Sequence, residues 1–264
     1  MKLKFVSLNL WRGGILMEEL LDFLEREQPD ILVAQEVLNS DDPATPQRYR
    51  SIEAIQSRMH FPAVEYAEAF IDNEQGHRFP SGNATFSRFP IVEHHIIPYD
   101  VPYGERTEHN PQAWANTPRN LQHTVVQVDD IFWNVFNMHG IWDLVGERAS
   151  DRRKKMCQTI ADAVRGKTHI LLAGDSNLKP TNPALKPIDE LLTSVFGQEL
   201  TTSFNIKRKD MVKFPGYGTA VVDLMYVGHD VRVLEHHCPQ VDISDHLPLV
   251  AVVEPLTNGK DTVE

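Results

Sequence analysis

The sequence of 264 residues contains only two cysteines, Cys157 and Cys238, and no long apolar run. Two cysteines are too few for a disulfide framework or a cysteine-rich metal site. No stretch approaches the roughly 20 apolar residues that span a bilayer. The apolar run at the N-terminus is too short for the core of a signal peptide. We therefore expect a soluble, cytoplasmic protein without a membrane span.

The sequence also lacks an excess of basic residues. Lys and Arg number 26 against 37 Asp and Glu, which gives a formal net charge of -11. No broad basic face is therefore available to hold a polyanion by counterion release. This composition disfavours a nucleic-acid substrate without excluding it, because a metal ion and a few Arg or Lys side chains can hold phosphate locally.

Two common kinds of ligand site are missing as well. Cys and His do not recur at the spacing of zinc sites, and Gly174 stands outside any glycine-rich run. The second absence disfavours nucleotide binding through a P-loop. The chain has an ordinary globular composition and no internal repeat or linker, so we expect a single domain over residues 1–264.

Helical and strand patterns alternate along the chain, which predicts an α/β fold. Apolar residues recur at helical spacing over 16–24, 47–59, 148–164 and 185–196. Strand patterns cover 2–8, 31–34, 63–70, 82–87, 91–98, 121–128, 131–138, 169–173, 221–227, 231–236 and 249–253. The segment 99–119 has neither pattern, and loops of this length are usually functional or disordered. It is either a loop that contacts the substrate or a surface insertion of no consequence.

Acidic, amide and histidine residues stand beside the ends of the predicted strands. They are Asn9, Glu36, His139, Asp175, Asn177, Asp245 and His246. Functional side chains often gather on loops just beyond strand ends, where the scaffold is rigid. Each residue alone is explained as well by a helix cap or a turn, so the prediction of a site depends on the whole set.

The chemistry of this set indicates a divalent cation and a phosphate ester. Mg²⁺ is usually held by one or two carboxylates together with amide oxygen, water and substrate phosphate. Glu36 and Asn9 fit that role, with an Asp joining them. Asp175 and His246 are candidates for activating water and for stabilising charge on phosphorus. Asp223, if it lies beside a histidine, would fix the tautomer of the ring.

Several short segments resemble, in order, the motifs of the endonuclease/exonuclease/phosphatase superfamily. They are SLNLW (7–11), QPDILVAQE (28–36), GNATFSRFPI (82–91), NMH (137–139), GDSN (174–177), VDLMYV (222–227) and SDHLPL (244–249). The superfamily includes abasic-site endonucleases, pancreatic-type deoxyribonuclease, neutral sphingomyelinases, inositol-polyphosphate 5-phosphatases and deadenylases. The resemblance covers nearly the whole chain and implies a four-layer α/β/β/α sandwich, in which helices flank two packed mixed β-sheets.

The resemblance also implies in-line attack of water on phosphorus. Asp175 would activate the water, and His246, backed by Asp223, would contact the phosphoryl oxygens. Asn177 and His139 would add hydrogen bonds. The resemblance further implies Mg²⁺, with Mn²⁺ as a substitute, held by Glu36, Asn9 and Asp245. Many members place a basic residue near the cleft, and Arg119 is the candidate for binding substrate here.

Two classes of substrate stay open, and the first of them is the leading hypothesis. One is a phosphodiester in DNA, RNA or a nucleotide-like ester; the other is a small-molecule or lipid phosphate, which the acidic composition slightly favours. His139 is similar to the residue of the deoxyribonuclease and sphingomyelinase branches. A non-catalytic module of the same fold would be expected to lack Glu36, Asp175 or His246, and all three are present. Trp11, Trp114 and Trp142 lie near the predicted site loops, although ordinary packing is the commoner role of tryptophan.

Overall fold

The computed structural model of the chain describes residues 1–74 and 77–256. The elements follow one another as β1 (Leu3–Asn9), α1 (Met17–Glu27), β2 (Ile31–Leu38), α2 (Ser51–Met59), β3 (Ala63–Glu74), β4 (His77–Ser87), β5 (Ile91–Pro98), β6 (Glu105–Arg106), α3 (Pro111–Ala115), β7 (Asn120–Val128), β8 (Ile131–His139), α4 (Asp151–Val164), β9 (Ile170–Asp175), α5 (Lys186–Asp189), β10 (Thr193–Ser194), β11 (Asp223–Val227), β12 (Val231–His237) and β13 (Leu249–Pro255). Among these described residues, no helix is long and apolar enough to cross a membrane.

The strands form two mixed sheets. The first has the order β12-β13-β1-β2-β4-β3-β6, and the second has the order β10-β11-β9-β8-β7-β5. The pairs β1–β2, β3–β6 and β8–β9 are parallel, and the other pairs are antiparallel. Helices α1 and α2 cover the outer face of the first sheet, and α4 and α5 cover that of the second. This is the four-layer sandwich that the resemblance implied.

Apolar side chains fill the space between the layers. Because side chains alternate along a strand, Phe5 of β1 packs between the sheets, whereas its neighbour Val6 packs beneath α1. In β9, Leu171 lies between the sheets and Leu172 lies beneath α4 in the same way. Strands buried on both faces explain why the sequence of the central strands reads as nearly continuous apolar runs.

A row of buried polar side chains also joins the two sheets, and we call it the inter-sheet polar row. Thr85 donates to Gln122 over 2.9 Å, and Gln35 donates to Asn137 over 2.7 Å. Asn83 and Asn120 bond over 3.0 Å, and Asn9 donates to Asp175 over 3.1 Å. Each pair has one member in each sheet. Buried polar groups need such partners, so the row permits only one position of one sheet relative to the other.

The predicted strands are confirmed with small changes at their ends, but the helix predicted over 185–196 is wrong. Only a short 3₁₀ turn, Pro183–Leu185, and α5 are helical there. The chain then forms β10, which pairs with β11, and the amide of Val195 donates to the carbonyl of Met225 over 2.9 Å. Pairing with the edge of the second sheet therefore prevails over the helical pattern of these residues.

The segment 99–119 contains β6 and α3 rather than an unstructured loop. Strand β6 pairs with the end of β3, and the side chain of Asn110 caps α3 by accepting from the amide of Ala113. Arg152 of α4 forms an ion pair with Asp100 and donates to the carbonyl of Ala115 over 2.8 Å. The segment is thus fastened to both sheets and forms one wall of the cleft described below.

We predict that Gly174→Ala destabilises the fold by about 2 kcal/mol or more, because a side chain there meets both a steric and a backbone penalty. Gly174 has φ +142°, and a Cβ atom would lie 1.9 Å from the carbonyl oxygen of Met138. Urea unfolding measures the effect. In Gly216→Ala the added Cβ enters open space, so the unfolding free energy should change by less than about 1 kcal/mol. Equal stabilities of the two variants would contradict this account.

Candidate active site

The predicted site residues meet at the ends of adjacent strands, on the floor of a cleft of about 870 Å³. Asp175 ends β9, and its register partners are His139 at the end of β8 and Asp223 at the start of β11. Asn9 ends β1 of the other sheet. Strand register within the second sheet therefore brings three of the predicted residues together, and Asn9 reaches them across the interface between the sheets.

Asp175 lies at the centre of this group. Its Oδ2 accepts a hydrogen bond from Asn9, and its Oδ1 accepts one from the backbone amide of Asn177 over 3.0 Å. The Nε2 atoms of His139 and His246 lie 3.7 and 3.9 Å from Oδ2. Burial raises the pKa of Asp175 to about 6, and the positive charge of His246 limits the rise. A carboxylate with this pKa can accept a proton near neutral pH.

His246 is paired with Asp223. Its Nδ1 lies 2.8 Å from Oδ2 of Asp223, and its ring contacts Phe204 edge-to-face at 4.6 Å between centroids. Burial alone would lower the pKa of His246, but the charge and hydrogen bond of Asp223 prevail and raise the pKa to about 10. The imidazole is therefore a cation at neutral pH, with Nε2 directed toward the centre of the site.

His139 is in the opposite protonation state. Burial and the positive charge of Arg119 hold the pKa of His139 well below its ordinary value. A guanidinium group can only donate, so Nδ1 of His139 accepts from Nη1 of Arg119 over 3.1 Å. The hydrogen of the neutral ring is then on Nε2, the atom that faces Asp175. Two histidines next to one carboxylate thus differ in charge.

Arg119 lines the cleft without a counter-ion of its own. Over residues 1–74 and 77–256 it forms no ion pair, and its Nε is buried without a hydrogen-bond partner. Burial lowers the pKa of Arg119 to about 10, although the charge of Glu36 opposes the shift. An unpaired buried cation is costly, and the free donors of Arg119 suit an anionic oxygen that enters the cleft.

Glu36 reaches the cleft because of an irregularity in β2. The register with β4 shifts between Ala34 and Val37, and Glu36 has φ +56°. This β-bulge turns the side chain toward the cleft. Oε2 of Glu36 accepts from the amide of Arg12 over 2.8 Å. Burial favours the neutral acid, but the charge of Arg119 and this amide prevail, and the pKa of Glu36 lies below its ordinary value.

Glu36 and Asn9 offer oxygen atoms that fit a hard divalent cation. Asn9 presents Oδ1, which also accepts from the amide of Trp11 over 3.0 Å. The described residues contain no group of three or more His, Cys, Asp or Glu arranged to hold a metal ion. Mg²⁺ does not need one, since it keeps several waters and takes one or two protein carboxylates. Asp245, the third predicted ligand, is paired with Lys209 at 2.5 Å.

Sequence reasoning missed several residues of the cleft. Arg106 binds the buried carboxylate of Asp72 through two nitrogens and lies 4.7 Å from the ring of Phe70. Lys209 and Tyr217 also line the cleft. These residues belong to segments whose sequence has no motif or periodicity. The only signal was the lack of pattern in 99–119, the segment that contributes Arg106, His109, Trp114 and Arg119.

All three tryptophans that lie near the predicted site loops line the cleft. Trp114 and Trp142 contact each other edge-to-face, with ring centroids 6.0 Å apart. Trp114 keeps 41% of its surface exposed, so one face of this pair is available to a ligand.

A model of the Endonuclease/Exonuclease/phosphatase family matches residues 6–246. The chain therefore belongs to the Endonuclease/Exonuclease/phosphatase family, and at the level of the family it is a phosphoesterase. The superfamily resemblance seen in the sequence is confirmed. No curated protein matches the sequence.

Solved structures of the same fold are similar over nearly the whole chain. An endonuclease/exonuclease/phosphatase from Beutenbergia cavernae has a TM-score of 0.72 and 18% identity, covering 96% of this chain and 72% of that one. TDP2 from D. rerio, in complex with a single strand DNA product, has a TM-score of 0.68 and 15% identity, covering 96% and 99%. A mannosyl-6-phosphatase from Bacteroides thetaiotaomicron has a TM-score of 0.66 and 15% identity, and it also covers 96% of this chain and 99% of that one. At such low sequence identity, the likeness to these structures establishes the fold alone.

We predict that the two histidines differ in protonation in the metal-free protein. At about pH 8, ring ¹⁵N shifts should give His246 as charged and His139 as neutral, because their surroundings move the pKa in opposite directions. Asp223→Asn removes the negative charge that keeps the imidazole of His246 protonated, so the titration midpoint of His246 should return toward neutral pH. Asp129→Asn, at an exposed hairpin turn, is the matched control. A neutral His246 at this pH in the unmodified protein would contradict the pairing with Asp223.

Proposed function

We propose that this protein is a divalent-metal-dependent phosphodiesterase that hydrolyses a phosphodiester in nucleic acid or a nucleotide-like ester. The main support is the convergence of Asn9, His139, Asn177 and His246 on Asp175, with Glu36 and Arg119 on the same cleft. A likeness to a structure bound to a single strand DNA product supports the choice of a diester.

Asp175 is the proposed base. Its pKa of about 6 leaves it ionised at neutral pH and still able to take a proton from water. Asn9 and the amide of Asn177 fix the direction of the carboxylate. The attacking water would then lie next to this carboxylate, which lines the cleft.

Positive charge around this carboxylate would stabilise the phosphoryl oxygens. The imidazolium of His246 and the unpaired guanidinium of Arg119 are the two fixed cations that suit this role. Neutral His139 and the side-chain amide of Asn177 can add hydrogen bonds. Asn177 Nδ2 is already oriented by the carbonyl of Gly140 over 3.1 Å. A divalent ion on Glu36 and Asn9 would neutralise charge that develops on the phosphate.

A second candidate is a phosphatase or phospholipase-type hydrolase for a small-molecule or lipid phosphate. The cleft carries exposed apolar side chains, with Trp114 41%, Leu144 52% and Phe214 49% exposed. Its cations lie on the cleft walls of a chain whose net charge is -11, so little basic surface extends beyond it for a long polyanion. A likeness to a mannosyl-6-phosphatase also suits this alternative.

Hydrolysis assays distinguish these candidates and test the site. A generic phosphodiester, a generic phosphomonoester and single- and double-stranded DNA would each be offered with Mg²⁺ or Mn²⁺ and with EDTA. Metal-dependent cleavage of the diester or DNA supports the first candidate, and cleavage of the monoester alone supports the second.

We predict that Asp175→Asn and His246→Ala each lower turnover by about 10²-fold or more, and that Glu36→Ala weakens activity and metal dependence together. A folded His246→Ala protein with near-normal turnover would contradict the mechanism.

We predict that Arg119→Met weakens binding of inorganic phosphate by about tenfold or more, because it removes charge-assisted donors from the cleft. The same change should leave thermal stability equal or higher, since the buried guanidinium has no ion-pair partner. Calorimetric titration and thermal unfolding measure the two effects. Arg26→Met, on the exposed face of α1, is the matched control. Unchanged phosphate affinity in Arg119→Met would contradict the assignment of Arg119 to substrate binding.

A further inference from the structure

The ammonium group of Lys209 is held in the cleft beside Asp245 by three contacts. Nζ lies 2.5 Å from Oδ2 of Asp245, 4.5 Å from the ring centroid of Phe204 and 4.9 Å from that of Tyr217. The side chains of Lys209 and Asp245 are only 13% and 14% exposed. The ion pair and the two aromatic rings give this ammonium group a defined position, whereas a surface lysine in water has none.

The backbone around Lys209 fixes that position. Phe204 bridges to His246, and the amide of Asn205 donates to the carbonyl of Asp245 over 3.0 Å. The side chain of Asn205 donates to Asp242 over 2.7 Å and to the carbonyl of Ser244 over 2.9 Å. Lys209 therefore sits on a turn that is bonded directly to the segment carrying Asp245 and His246.

This arrangement leaves no place for a divalent ion on Asp245. Such an ion would lie next to an ammonium group that already neutralises the carboxylate, and the two cations would repel each other in a poorly hydrated site. A divalent ion could bind Asp245 only if the ammonium group of Lys209 moved away from both aromatic rings. Glu36 differs, because the contact described for its carboxylate is a backbone amide rather than an ammonium group.

We propose that Lys209 is the permanent cation at Asp245, so that Asp245 is not a metal ligand and the chain binds one divalent ion, at Glu36 and Asn9. The presence of that ion rests on the proposed function. Phe204 contacts both Lys209 and the ring of His246, and Lys209 also holds the side chain of Asp245, the residue next to His246. Lys209 is thus a positioning residue for His246.

Titration with Mn²⁺, followed by electron paramagnetic resonance of the free ion, tests the metal site without any substrate. The unmodified chain should bind one ion, and Glu36→Gln should weaken its affinity by about tenfold or more. Asp245→Asn and Lys209→Met should leave the affinity within about threefold, since neither touches the ion. Lys207→Met, the same change on an exposed residue of this turn, is the matched control. Thermal unfolding verifies that each variant is folded.

A turnover measurement tests the positioning role, on whichever ester the unmodified chain cleaves. Lys209→Met should lower kcat by about tenfold while the Mn²⁺ dependence is unchanged, and Lys209→Arg should recover most of the loss. Lys207→Met should keep full kcat. Full kcat in Lys209→Met would overturn the positioning role.

The metal titration separates failure of this inference from failure of the proposed function. Two ions in the unmodified chain, or a loss of about tenfold in affinity in Asp245→Asn, would overturn the assignment of Lys209 while leaving metal dependence intact. Absence of any bound Mn²⁺ in the unmodified chain would overturn the metal dependence and the inference together.

Discussion

The inter-sheet polar row is the constraint from which the geometry of the site follows. Its pairs cross between the two sheets, and the last of them, Asn9 with Asp175, belongs to the site itself. An apolar interface alone would tolerate sliding of one sheet on the other, but a buried amide that loses its partner is costly. The bonds that fix the packing of the sandwich therefore also fix the distance between the proposed metal ligands and the proposed base.

The electrostatics of the cleft depend on what each charged group has beside it. His246 has the carboxylate of Asp223 and is charged, whereas His139 has the guanidinium of Arg119 and is neutral. Arg119 has no ion-pair partner within the described chain, and Lys209 has one. In a chain of net charge -11, the buried guanidinium of Arg119 lines the cleft without a carboxylate partner. Local pairing therefore determines where an anion can be bound, and overall charge does not.

The sequence predicted the fold more fully than the site. Central strands such as β1 and β9 are buried on both faces, so their apolar runs were readable, and the family motifs located Asp175 and His246. The helix predicted over 185–196 failed because pairing of β10 with β11 is a long-range contact. Arg106 and Lys209 were missed for a related reason, since contacts with Asp72 and Asp245 decide their roles. The bulge at Glu36 likewise depends on β4.

The wall formed by residues 99–119 pairs with the first sheet through β6, a strand of two residues at its outer edge. Within residues 1–74 and 77–256, no strand lies beyond β6 in the order of that sheet. The floor of the cleft comes from the ends of β1, β2, β8, β9 and β11 instead. Apart from Arg119, which bonds to His139, the wall can therefore lengthen, shorten or change composition among descendants of a common ancestor without disturbing the hydrolytic centre. Changes of substrate range in this architecture are therefore expected to come from sequence changes at the edge of the sheet, while the sequence of the strands that hold Asp175 changes slowly.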